Sequence, residues 1–96
     1  MLKSPLIYTV EVDGKPTLTF AGHAREAAEL LREAWFRIDL LELTSNGMPI
    51  CKPASILKTR IANEIEMATY RGAAKSAGST GDILFAYLVE LDGTPS

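Results

Sequence analysis

Apolar and polar residues alternate from Leu6 to Asp13, with Leu6, Tyr8, Val10 and Val12 on one side and Ile7, Thr9, Glu11 and Asp13 on the other. A period of two predicts a strand with one buried face. Asp13-Gly14-Lys15-Pro16 is turn chemistry, and Thr17 to Ala21 resumes the alternation with Leu18 and Phe20 inward. Together the two segments predict a β-hairpin in which Gly14 is free to take a positive φ.

At His23 the period becomes helical. Ala24, Ala27, Ala28, Leu31, Ala34, Trp35, Ile38 and Leu41 recur at spacings of three and four, opposite Arg25, Glu26, Glu29, Arg32 and Glu33. Arg25 with Glu29, and Glu33 with Arg37, are spaced to pair, each adding about 0.3 kcal/mol. Leu30, Phe36, Leu40 and Leu43 lie off the main stripe, so the helix either bends near Arg37 or has a second neighbour. Thr44-Ser45-Asn46-Gly47-Met48-Pro49 ends it, since Asn or Gly suits the left-handed C-terminal position and proline cannot extend a helix.

Ile56 to Ala62 reads as a strand with Leu57, Thr59 and Ile61 on one face and Ile56, Lys58 and Arg60 on the other; one long helix from Ala54 to Ala77 is its rival. Asn63 followed three residues later by Glu66 has the capping-box pattern, opening a helix to about Ala77. The small residues Ala68, Gly72, Ala73 and Ala77 on that helix suit close approach. Gly78 to Asp82 reads as a loop, and Ile83 to Leu91 as a nearly continuous apolar strand suited to a sheet centre. The order β-β-α-β-α-β predicts an α+β two-layer sandwich with a mainly antiparallel four-stranded sheet and helices on one face. One small domain accounts for residues 1–96.

Tyr8 to Thr17 and Tyr87 to Ser96 share six identities in ten positions, among them Tyr, Val, Glu and the Asp-Gly pair. Two strands of equal phase that end in similar turns account for this, and so does a pseudo-repeat. Either origin puts Tyr87, Val89 and Leu91 on the face of Tyr8, Val10 and Val12, with Glu11 and Glu90 on the other.

Composition adds exclusions. With 47% hydrophobic and 23% charged residues the chain has the make-up of a folded domain. It holds no apolar run of membrane-spanning length, and its start lacks the apolar stretch of a secretory signal, so a cytoplasmic protein without membrane association is expected. The net charge of −2 gives no overall attraction to nucleic acid, although Lys52 to Lys75 carries five basic residues against two acidic ones. A single cysteine forms no intramolecular disulfide, and a single histidine makes a His-rich metal site impossible.

No motif for catalysis or phosphate binding is present, and no cofactor is expected. His23 stands at a helix entrance, where capping or simple exposure suits it better than general-base work. Cys51 beside Lys52 would be a reactive thiol if exposed, and Glu11 with Glu90 would form a carboxylate pair if their strands were adjacent. Trp35 and Phe36 point about 100° apart on a helix, so one enters the core while the other is left for the surface or a partner. With Leu40, Leu43 and Met48 they outline a candidate interface, and Lys58 with Arg60 a candidate basic surface.

Tyr8-x-Val10-Glu11-x-Asp13-Gly14, then Phe20, then Glu26-Ala27, is similar to the β-β-α start of HicB-like antitoxins over about a fifth of the chain. The Pro-Asp-Leu-Pro-Gly-Cys-type segment of that family is absent, with Ala21-Gly22-His23 in its place, and no functional residue is carried across. The leading expectation is a non-catalytic interaction domain of bacterial type, acting as a homodimer or on another protein. Its alternatives are a regulatory or antitoxin-like protein that meets nucleic acid or an acidic protein through Lys52 to Lys75, and a small enzyme using Glu11, Glu90 or Cys51.

Overall fold

The computed structural model describes residues 6–77 and 84–92. Strands β1 (Leu6–Val12) and β2 (Lys15–Gly22) form the expected antiparallel hairpin, with Tyr8 opposite Phe20 and Val10 opposite Leu18. Asp13 and Gly14 both adopt positive φ, 52° and 82°, the backbone that a two-residue hairpin turn demands. Tyr8, Val10, Val12, Leu18 and Phe20 are buried together, and the rings of Tyr8 and Phe20 stack with centroids 5.9 Å apart.

Residues His23 to Leu43 depart from a single helix. Helix α1 (Ala24–Leu30) ends, the chain turns, and Glu33 in extended backbone opens α2 (Ala34–Leu41). The reason is rotational. Nine residues at about 100° each would set Ala27 and Phe36 on opposite sides of a straight helix, yet both are buried in the core. Breaking the helix at Leu31–Glu33, ahead of Arg37, lets Ala27 and Leu30 from α1 and Phe36 and Leu40 from α2 face the same sheet. Of the expected stripe, Ala24, Ala28, Ala34, Trp35 and Ile38 are exposed.

The segment expected only to terminate the helix is itself a small hairpin of β3 (Thr44–Ser45) and β4 (Met48–Pro49). Asn46 and Gly47 form its turn at φ 53° and 78°. Both amides donate to the carboxylate of Asp92, which lies below the usual aspartate range because of those bonds. Asp13, the counterpart of Asp92 in the internal similarity, does matching work on another loop. It accepts from the Ser55 hydroxyl at 2.8 Å and the Ile56 amide at 2.9 Å, and these bonds lower its pKa.

Strand β5 (Leu57–Ile61) pairs antiparallel with β1, so the strand reading of this segment holds and the long-helix rival falls. Asn63 and Glu66 then exchange capping-box bonds of 3.0 and 2.9 Å, opening α3 (Glu64–Ala77) as the sequence implies. Ala68 is exposed, and open space surrounds Gly72, so neither marks a close approach.

The last strand, β6 (Ala86–Tyr87), is short and lies at an edge, in the order β5-β1-β2-β6. Leu18 pairs with Tyr87, which fixes Tyr87 on the inner face as its phase requires. The start of the expected strand at Ile83 and the loop Gly78 to Asp82 lie outside the described residues. The fold is α+β with a four-stranded antiparallel sheet. One layer differs from expectation: α1 and α2 cover the inner face, while α3 lies across the outer one. Thr9, Thr17 and Thr19 are consequently buried, and Thr9 donates to Glu66 of α3.

Candidate functional site

The break between α1 and α2 creates a cleft on the inner-face side of the domain. Its walls are Phe20 and Ala21 from β2, Glu26, Glu29 and Leu30 from α1, and Glu33 and Trp35 around the start of α2, enclosing about 240 Å³. Trp35 supplies most of the apolar surface, with the buried Phe20 and Leu30 forming the floor, the three glutamates supply negative charge, and no basic residue lines the space. Glu26, Glu29 and Glu33 share one side of the helical segment by their spacing, and the break at Leu31–Glu33 adds Trp35 to the same cleft.

Trp35 packs against two neighbouring rings. Its ring meets Phe36 edge-on with centroids 5.8 Å apart and lies 6.4 Å from Phe85, while the residue stays 44% exposed. Phe36 is the inward member of the pair, only 1% exposed and 5.4 Å from Phe85. The expected division of the two rings between core and surface is therefore observed.

Two of the glutamates lack the partners that helical spacing suggests. Among the described residues the ion pairs are those of Arg60, so neither Arg25–Glu29 nor Glu33–Arg37 forms. Arg37 instead donates to the carbonyls of Lys52 and Pro53 at 3.5 and 3.2 Å. Glu26 is engaged at one oxygen, which accepts the backbone amide of His23 at 2.8 Å and starts α1. His23 thus has a helix-entrance role. No three His, Cys, Asp or Glu side chains among the described residues are grouped to hold a metal ion, so the carboxylates form a rim and not a chelate.

The other candidates separate in space. Of the expected interface, Phe36 and Leu40 belong to the core at 1% and 0% exposure, Leu43 is partly buried against it, and Met48 lies out on the β3–β4 hairpin. Five residues from a continuous helix and its end do not make one patch once that helix is broken. Lys58 is exposed on β5, but Arg60 binds Glu11 Oε2 at 2.9 Å and both oxygens of Glu66 at 2.7 and 2.9 Å. Its positive charge is met by two carboxylates. These bonds hold the Glu66 carboxyl at about 2, with the Arg60 hydrogen bond the largest cause and burial opposing it, and they raise the Arg60 guanidinium.

Glu11 and Glu90 do not pair, because β2 separates β1 from β6 and Glu11 is already committed to Arg60. Cys51 is buried, with its thiol donating to the Lys52 carbonyl at 3.5 Å. No described helix is long and apolar enough to cross a membrane. No family model matches the chain, and no curated protein or solved structure matches it either.

Proposed function

We propose that this protein is a non-catalytic interaction domain that docks a partner protein in the cleft between α1 and α2. The observation that carries the reading is Trp35, a large aromatic left 44% exposed while its ring packs against Phe36 and Phe85 at the edge of the cleft. Tryptophan in such a setting offers contact area at small entropic cost, which is why it anchors interfaces. The volume, about 240 Å³, is below the roughly 300–1,000 Å³ of small-molecule sites and suits one inserted side chain.

The enzymatic alternative has little support. Glu11 is bound to Arg60, Glu90 stands exposed away from it, and Cys51 is buried. A nucleic-acid reading through Lys58 and Arg60 is weakened because Glu11 and Glu66 hold Arg60.

Selection of displayed random peptides on the wild-type protein, followed by binding to Trp35→Ala, tests the proposal. The expected result is enrichment of peptides whose affinity falls about tenfold or more in the variant, the loss typical of an interface anchor. Failure to enrich any peptide, or enrichment of peptides that bind the variant equally well, would overturn it.

A further inference from the structure

Three glutamates and no basic residue line the cleft. Glu29 sits in the last turn of α1, where carbonyl groups already carry partial negative charge, and that turn holds no basic residue. Glu33 follows as the residue that opens α2, and Arg37, spaced to neutralise it, is turned to the Lys52 and Pro53 carbonyls. Glu26, Glu29 and Glu33 line the same recess as Trp35. Glu26 in the first turn of α1 and Glu33 at the head of α2 sit at helix ends that favour a carboxylate, whereas Glu29 sits at the negative end of α1 and gains when a cation enters.

We infer that the occupant is an arginine side chain presented by a basic segment of a partner protein, a reading that rests on the docking role proposed above. A guanidinium is planar, stacks on an indole, and donates several hydrogen bonds to carboxylates, while its three-methylene stem covers apolar surface. The cleft offers Trp35, 44% exposed, for the plane and stem, and Glu29 and Glu33 for the donors. A small metal ion fits less well, because the glutamates are not grouped as a chelate. A wholly apolar side chain would leave the charge unmet.

Trp35 is the only tryptophan, so its fluorescence reports this site alone. The probe is a glycine-spaced peptide with three arginines, compared with the same peptide carrying citrulline, which keeps the planar shape and removes the charge. The expected result is a saturable change in Trp35 emission at low salt, with the arginine peptide about tenfold tighter than its citrulline twin and progressively weaker as salt screens the carboxylates. Glu29→Gln with Glu33→Gln should weaken arginine binding by about tenfold while the melting temperature changes little, because removing charge from the end of α1 and from the head of α2 acts on stability in opposite directions. That second readout separates a binding role from a structural one. If peptides engage Trp35 yet the citrulline form binds equally well and neither salt nor the double variant matters, the arginine inference falls and the docking role stands. If no peptide, including any enriched by selection, perturbs Trp35, the docking role falls as well. A change in emission with protein concentration alone would assign the cleft to a second copy of this chain and overturn the inference.

Discussion

The Thr9 hydroxyl donates to Glu66 Oε1 at 2.8 Å and joins the middle of β1 to the first turn of α3. Glu66 also accepts from Arg60 and from the Asn63 amide, so one nearly buried carboxylate ties together β1, the end of β5 and the start of α3. Burying a carboxylate is unfavourable unless its oxygens are satisfied, and here several donors satisfy them. Thr9→Val keeps the side-chain shape and removes one donor to a charged acceptor, and should lower stability by about 1–2 kcal/mol. Glu66→Gln should cost about 1–3 kcal/mol because it leaves Arg60 with Glu11 alone. Urea unfolding measures both, and equality of either variant with wild type would show that the network contributes nothing.

Glu66 also gives the stability a dependence on pH. Its carboxyl titrates near 2 in the folded protein, below its ordinary 4.5, so folding favours the ionised form. That contribution is fully present above pH 4.5 and is lost as the pH falls from there through about 2. Denaturation at a series of pH values should show the gap between wild type and Glu66→Gln closing over this window. A gap of constant size would argue against the assignment.

Phe36 and Leu40 were candidates for an interface, but their burial makes them determinants of folding. Phe36→Ala should destabilise the domain by about 3–5 kcal/mol and Leu40→Ala by about 2–5 kcal/mol, since each empties core volume. Thermal unfolding combined with solution mass checks this. A folded variant of unchanged stability that loses only an oligomeric form would return these residues to an interface.

Cys51 should react with a thiol reagent such as dithionitrobenzoate slowly in the native protein and rapidly in denaturant, because it is only 2% exposed. Comparison of the two labelling rates is sufficient. A native rate matching the denatured one would mean that the thiol is accessible.

The elements that were legible from sequence are those in which local chemistry and burial agree. In β1 and β2 the alternation, the Asp13-Gly14 turn and the apolar partners lead to one register. Asn63 and Glu66 announce the start of α3 because a capping box is contained within four residues. The broken helix was less legible, since Ala27 through Leu41 suits helix throughout and only the need to face one sheet separates its halves. Asn46-Gly47 carried a hairpin signal that a reading as a helix terminator masked; the flanking strands are two residues each. Thr9, Thr17 and Thr19 read as a solvent face, because the sequence pattern does not reveal a helix lying over them.

The cleft was the least legible feature of all. Glu26, Glu29 and Glu33 fall on the polar side of a continuous helix, where they read as a solvated surface. Their spacing of three and four, close to Trp35, was the available signal. It acquires meaning only when the chain breaks and brings Trp35 to the cleft that Phe20 and Leu30 also line.

The measurement that tests the docking cleft most directly is amide and indole NMR mapping of an isotope-labelled wild-type sample titrated with the triarginine peptide. The single indole N–H signal of Trp35 should move saturably, together with amides of Ala21, Glu29, Leu30 and Glu33. Saturable shifts confined to β5 and α3, with the Trp35 indole unmoved, would contradict the account and place recognition on the opposite side of the sheet.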